Sequence, residues 1–307
     1  MDDLARGGQR ALEQAIDSGV NCIHSSYEYG TRWLTSKVLK DHPKRKDLYH
    51  IIKVNVPEWG EERFTLEQFR RQIEEALRDL HTDQIAVVQH LQRGTIPKEL
   101  GYNQEGEPIR MKDFDEVTPV LLEAFEKLKD EGKVGSLATF PYTVGFAEKA
   151  IDSGSFSGIA AYFDCLETEM LDLFDSMVKQ DMGFIGIRPF AGGLLTSKRV
   201  DRDKLPGDDR MRGSEWDRLY SQLDELRSQL PEEPADWSEY ALRFSIAHPA
   251  ITTTVVGINT PEQFETALRA AEAPALPRDI LDIAHRINSR YRKTYGVKAN
   301  LGGVPIF

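Results

Sequence analysis

Residues 21–30 read NCIHSSYEYG, so His24 and Tyr29 stand where a short apolar run gives way to small polar residues and a glycine. Two later apolar runs, LYHIIKV (Leu48–Val54) and QIAVVQH (Gln84–His90), bring Lys53 and His90 to their ends. Imidazole, phenol and ammonium groups move protons to and from a reacting atom when they are held beside it. The same histidines also suit a different chemistry. With Asp164 or Glu28 they make a nitrogen and oxygen donor set for Zn²⁺ or Mn²⁺, as a metal-dependent lyase or hydrolase would use. No compact ligand motif links those residues, and the sequence assigns no metal.

A repeating alternation of strand and helix is what can bring such residues to one place. The periodicity predicts strands at 21–25, 48–54, 84–90, 133–140, 157–163, 182–190 and 252–257. Helices are predicted at 3–18, 32–39, 66–80, 119–130, 143–152, 168–180, 236–247, 261–272 and 278–293. Such alternation specifies parallel strands joined by right-handed crossovers. The expected fold is an α/β (β/α)8 TIM barrel, one domain over 1–307. Seven strands are predicted where a closed barrel has eight, and the first predicted element is a helix. The first strand is therefore expected upstream, because an open barrel would leave strand edges unpaired. His24, Tyr29, Lys53 and His90 then fall at or just past the C-terminal ends of three consecutive strands, the face on which barrel enzymes carry catalysis. Segments 94–115 and 199–215 are polar and read as lids over that face.

Composition narrows the class further. A formal charge of −11 excludes a general nucleic-acid binder, which needs a basic face. No apolar run approaches the roughly 18 residues of a membrane span, and the N-terminus lacks a basic-then-apolar signal pattern. Cys22 and Cys165 are too few for a disulfide framework and fit a reducing compartment. A cytoplasmic protein acting on a small-molecule substrate is expected, with neither nucleic acid nor membrane as partner.

Several segments, in order, resemble the aldo-keto reductase superfamily, over nearly the whole chain. ALEQAIDSGVNCIHSSYEYG is similar to its entry helix, strand and turn; DLYHIIKV and TDQIAVVQH are similar to the strands carrying its lysine and histidine. GFIGIRPFAGGLLTSK resembles its seventh strand and cofactor loop, and TTTVVGINTPEQFETALRAAE its eighth strand and adenosine-binding helix. The resemblance implies hydride transfer between a nicotinamide cofactor and a carbonyl or alcohol substrate, a sugar or polyol in view of the polar lids. It implies Tyr29 as general acid and base, Lys53 as its cationic neighbour and His90 as the group orienting the substrate carbonyl. His24 occupies the family's aspartate position. An imidazole there accepts a hydrogen bond without supplying negative charge, so Lys53 is expected to be more acidic than its counterparts and Tyr29 less firmly tuned.

The resemblance also places the cofactor. Arg188, Pro189, Gly192, Gly193, Leu194, Thr196 and Lys198 fall on the loop whose amides and cation hold a pyrophosphate. Gly257, Asn259 and Gln263 fall at the adenosine end. The usual 2′-phosphate cations fall on Gly257 and Gln263, which leaves NADP(H) and NAD(H) both open, with Arg269 or Arg188 as substitutes. Arg188 also suits either an anionic substrate or a salt bridge to a nearby carboxylate. The nicotinamide side departs most: the family's serine-asparagine pair falls on Phe140 and Pro141, its glutamine on Ala160 and its stacking aromatic near Ile187. These departures keep open a non-catalytic descendant that retains the barrel.

Overall fold

The structure, a computed structural model, describes residues 3–26, 28–61, 63–97, 100 and 106–294. Tyr27, read in the sequence as part of the turn before Tyr29, lies outside them. The chain forms two compact units, the first made of Met1–Pro141, Gly145–Ala160 and Ile258–Phe264, the second of Tyr142–Val144, Ala161–Gly257 and Glu265–Phe307. Strands are hydrogen-bonded in chain order, β1 to β7, among the described residues.

In the first unit, α1 (Asp3–Asp17) leads through Gly19, held at φ +99°, into β1 (Cys22–Ser26). There follow α2 (Arg32–Asp41), β2 (Tyr49–Val54), α3 (Leu66–Leu80), β3 (Ile85–Leu91), α4 (Glu107–Asp130), β4 (Val134–Phe140), α5 (Val144–Asp152) and the start of β5 (Gly158–Tyr162). Helix α3 shows how sequence dictates an element. Thr65 caps it by accepting the amide of Gln68, and Phe69, Ile73, Ala76 and Leu80 form its buried stripe.

Parallel register fixes which side chains share a face. Ser26 pairs with Lys53, Lys53 with Gln89 and Gln89 with Ala138. Side chains alternate along a strand, so His24, Ser26, Lys53 and Gln89 project from one face of the sheet. Ile23 pairs with His50, and Val54 with His90, which puts both of these histidines on the opposite face.

Helix α4 begins well before the predicted start at Pro119, which lies inside it. Proline is at home in a first helical turn, but here burial of Arg110, Asp113, Phe114 and Val117 at helical spacing carries the helix through the second half of the predicted lid. Arg110 donates to the Gln92 carbonyl, and Asp113 accepts the Thr95 amide at 2.8 Å, so this extension holds the loop that leaves β3.

The second unit holds the end of β5, α6 (Phe174–Lys179), β6 (Gly183–Ile187), α7 (Asp217–Gln229), α8 (Trp237–Ser245), β7 (Ile251–Val255), most of α9 (Pro261–Glu272) and α10 (Arg278–Thr294). Its core is aromatic: Phe163 stacks on Phe244 at 5.7 Å, and Phe174 meets Phe184 edge-on at 4.9 Å. The polar stretch 199–215 is a set of 3-10 turns whose arginines donate to backbone carbonyls, Arg202 to Arg212 and Gly213, and Arg212 to Pro206.

His50 gives the first unit a measurable acid sensitivity. It is fully buried, both ring nitrogens lack a partner among the described residues, and burial holds its pKa down at about 4. The unfolded chain protonates His50 near pH 6.5 while the folded one resists until about 4, so stability is lost as pH falls through that window. His50→Leu is expected to gain about 2 kcal/mol on wild type between pH 7 and 5, at about 1.4 kcal/mol per pH unit below 6.5. Urea unfolding at the two pH values measures it; an equal difference at both would refute the assignment.

Candidate active site

His24, Tyr29 and Lys53 converge in the first unit. Tyr29 follows β1, and its ring centre lies 6.0 Å from that of His24 and 5.0 Å from the Lys53 ammonium. Register adds a fourth group: Gln89 stands beside Lys53 on the same face, and its Oε1 accepts the Nε2–H of His24 at 2.9 Å. Burial first, and then the Lys53 ammonium, hold the His24 pKa down at about 4 against the opposing pull of Gln89. The imidazole is therefore neutral at working pH, as expected for a residue that supplies no charge to Lys53.

Tyr29 differs from expectation. Its pKa is pushed up to about 12, first by burial and then by the Glu28 carboxylate, although the residue keeps 36% of its surface exposed. Burial sets the direction, and the neighbour that adds to it is an anion one residue away rather than the cation over the ring.

His90 does not join this group. It is fully buried on the opposite face of β3 and donates its Nε2–H to the Val56 carbonyl at 2.8 Å. Burial lowers its pKa to about 4, and Nδ1 has no partner among the described residues. A histidine whose N–H is spent on backbone does not present it to a substrate. A shift of one residue along a strand exchanges faces, so Gln89 occupies the face on which His90 was expected. The sequence carried no signal for this exchange, because which of Gln89 and His90 shares a face with Lys53 is set by the pairing of β2 with β3.

An ion cluster braces the loops around Tyr29. Arg93, 6% exposed, grips Glu28 with two bonds of 2.8 and 2.9 Å and Glu58 with one of 3.0 Å. Its guanidinium lies 5.4 Å from the Trp59 ring centre, and Asn55 donates to the other oxygen of Glu58. Loops leaving β1, β2 and β3 are thus tied at one arginine. A separate cavity of about 210 Å³, lined by Pro57, Arg63, Phe64, Thr95 and Asp113, contains none of the predicted catalytic residues.

In the second unit the predicted cofactor loop follows β6. Arg188, Ala191, Gly192 and Gly193 take positive φ values of 65°, 47°, 72° and 102°. Only glycine suits the last, where a Cβ would also lie 3.0 Å from Arg199 Nη1. The amides of Ala191, Gly193, Leu194 and Leu195 bond within the loop, and the Thr196 hydroxyl donates to the Gly193 carbonyl at 2.8 Å. Cations stand close by: Arg199 against Gly193 but paired with Asp209 at 3.0 Å, Arg210 donating to the Gly192 carbonyl at 2.7 Å, and exposed Lys198. This loop suits a pyrophosphate through its cations more than through a nest of free amides. Arg199 and Arg210 lie outside the predicted set; the basic run Lys198–Arg199 was their signal.

Arg188 is committed locally. It pairs with Glu167 at 3.5 Å and lies 5.0 Å from the Tyr162 ring centre, beside fully buried Asp164, whose pKa is raised well above normal by burial and by Glu167. Arg269 pairs with Asp236 and Glu239 at 3.7 and 3.6 Å. In the first unit, Gln263 accepts the Asn259 amide at 2.7 Å, closing the turn ahead of α9, while Gly257 of the second unit is exposed. Phe140 and Pro141, where the nicotinamide-holding pair was expected, are buried, and Ala160 is wholly buried. Among the described residues no group of three His, Cys, Asp or Glu side chains is placed to hold a metal ion.

A barrel-type strand order thus brings a tyrosine, a lysine and a polar strand-borne pair to one place in the first unit. The chain belongs to the aldo/keto reductase family, whose profile matches residues 7–288. It is 23% identical over 277 residues to the protein named uncharacterized oxidoreductase YqkF of Bacillus subtilis (strain 168), covering 87% of this chain and 83% of the relative. Identity to uncharacterized oxidoreductase YrpG of the same organism is 23% over 302 residues, covering 91% and 86%. Among solved structures, the holo form of aldo-keto reductase AKR11C1 from Bacillus halodurans matches with a TM-score of 0.66 at 19% identity, over 91% of this chain and 86% of that one. Glycerol dehydrogenase AKR11B4 from Gluconobacter oxydans matches at 0.65 and 15%, over 95% and 88%. The fold is the α/β (β/α)8 barrel, and the protein is an NAD(P)-dependent oxidoreductase. No helix among the described residues is long and apolar enough to cross a membrane.

Proposed function

We propose that the whole chain acts as one barrel domain that reduces a carbonyl, or oxidises the corresponding alcohol, with Tyr29 as the proton donor and acceptor. The observation that carries this reading is the convergence of Tyr29, Lys53 and His24 on one place in the first unit. When bound, the nicotinamide supplies or accepts the hydride. Reduction leaves an alkoxide, and the Tyr29 hydroxyl gives it a proton; in the reverse direction the phenolate takes that proton back. The Lys53 ammonium, 5.0 Å from the ring centre, is the group placed to offset the destabilisation of the phenolate by burial and Glu28, and neutral His24 holds the same face without competing for the proton. A sugar or polyol substrate is supported by the polar loops at the strand ends and by the glycerol dehydrogenase among the structural neighbours.

Arg210 and Lys198 would hold the pyrophosphate of the cofactor, with Gly193 allowing its close approach and Arg199 committed to Asp209 at 3.0 Å. Arg188 and Pro189 set the path of the chain into that loop, and Gly257, Asn259 and Gln263 lie at the adenosine end. Since Arg188 and Arg269 both have carboxylate partners, NAD(H) is favoured over NADP(H). Fluorescence titration with NADH and NADPH in parallel tests this, with saturable binding of both and at least tenfold tighter binding of NADH expected. Failure of both, reduced and oxidised, to bind the folded protein would overturn it. A second reading, a barrel that binds cofactor with little turnover, is favoured by the raised Tyr29 pKa; binding without activity on a broad carbonyl and alcohol panel would establish it.

A further inference from the structure

Gln89 is an unusual residue to find fully buried within a parallel strand. Buried parallel strands are built of apolar side chains, and Ile85 and Val88 of β3 are wholly buried and apolar. A primary amide in that setting needs partners at both ends; leaving one end bare carries the desolvation penalty of a polar group. Gln89 Nε2 has no partner among the described residues, whereas Oε1 accepts from His24 Nε2 at 2.9 Å. The described structure therefore gives this amide one specific bond, and that bond leads into the Tyr29 cluster.

The bond has a chemical consequence. A carboxamide oxygen accepts and cannot donate, so with the amide oxygen turned to the ring His24 carries its proton on Nε2 and keeps a lone pair on Nδ1. Lys53 is the register neighbour of Gln89, and Tyr29 faces His24 at 6.0 Å. The charged and titratable groups around the imidazole are thus Lys53 from β2 and Tyr29 with Glu28 from the loop after β1, Glu28 being held by Arg93; from β3 comes the neutral amide alone. An acceptor without charge fixes the ring while leaving the proton balance between Tyr29 and Lys53 undisturbed.

We propose that Gln89 is a positioning residue of the proton relay, holding His24 in its Nε2–H tautomer beside Lys53 and Tyr29. The proposal rests on the oxidoreductase reading of Tyr29, but its first test does not. Nitrogen-15 NMR of the wild-type protein should show His24 as the Nε2–H tautomer, neutral across pH 5–8; an Nδ1–H tautomer overturns the proposal. In Gln89→Leu the tautomer signal should become mixed, kcat should fall on the order of tenfold, and its pH profile should move while NADH affinity stays the same. In Gln89→Glu, an anion at the same acceptor position should raise the His24 titration by about 1–3 pH units. An unchanged tautomer and unchanged pH profile in Gln89→Leu would reduce the residue to packing. If coenzyme does not bind the wild-type protein, the oxidoreductase reading fails instead, and the tautomer is still read independently.

Discussion

Tyr29→Phe is expected to lower kcat by about 10²–10⁴-fold, the contribution of a positioned proton donor, while leaving coenzyme affinity within about twofold. The phenyl ring keeps the contacts with His24 and Lys53, so the loss isolates the hydroxyl. Direction of reaction sharpens the test. With its pKa pushed up to about 12, Tyr29 stays protonated over the whole working range, so carbonyl reduction should show no ionisation limb from this group below about pH 11. Alcohol oxidation needs the phenolate, and its rate should climb about tenfold per pH unit from neutrality upward. Steady-state kinetics in both directions measure this. A variant with near wild-type kcat would remove Tyr29 from the chemistry, and a reduction rate that falls through pH 8–9 would mean that bound cofactor returns the phenol to a lower pKa.

Arg93→Met should cost about 3 kcal/mol of stability, the low end for breaking a buried ion pair because Glu28 and Glu58 are each 37% exposed. Burial already raises the Glu58 pKa and Arg93 opposes that rise, so removal of the cation moves it further up. The deficit should therefore shrink as pH falls and Glu58 takes a proton. Denaturant unfolding at pH 7 and 5 tests both magnitude and sign; a loss below 1 kcal/mol would make the cluster an ordinary surface network. Because Glu28 adjoins Tyr29, kcat should fall as well.

Strand and helix order was legible because burial on both faces leaves plain apolar runs, and the first three strands fall within a residue or two of their predicted ends. Helix α7 was missed: charged residues dominate DRLYSQLDELRSQ, yet Leu219, Leu223 and Leu226 recur at helical spacing and are buried. The lid expected at 94–115 failed in part because Arg110 and Asp113, polar in sequence, are buried by bonding the loop after β3. His24, Tyr29 and Lys53 were readable from strand ends. Gln89 was not, since an amide beside a histidine attracts no attention until register shows which of the two shares a face with Lys53. The Arg93 clamp was hidden for another reason: its carboxylates lie 65 and 35 residues away, and only folding joins them.

Buried histidines and buried carboxylates respond to acid in opposite senses. His24, His50 and His90 in the first unit are each held near a pKa of 4, so each draws stability away as pH drops below about 6.5. In the second unit, Asp164 and Glu169 have raised pKa values, that of Glu169 to about 7, so their folded forms gain protons before their unfolded forms do. Mild acid relieves the strain of those carboxylates while it loads the first three strands. Acidification should therefore weigh most on the strands that carry His24, His50 and His90, the same strands that position Tyr29, while the carboxylates around Arg188 become easier to keep buried.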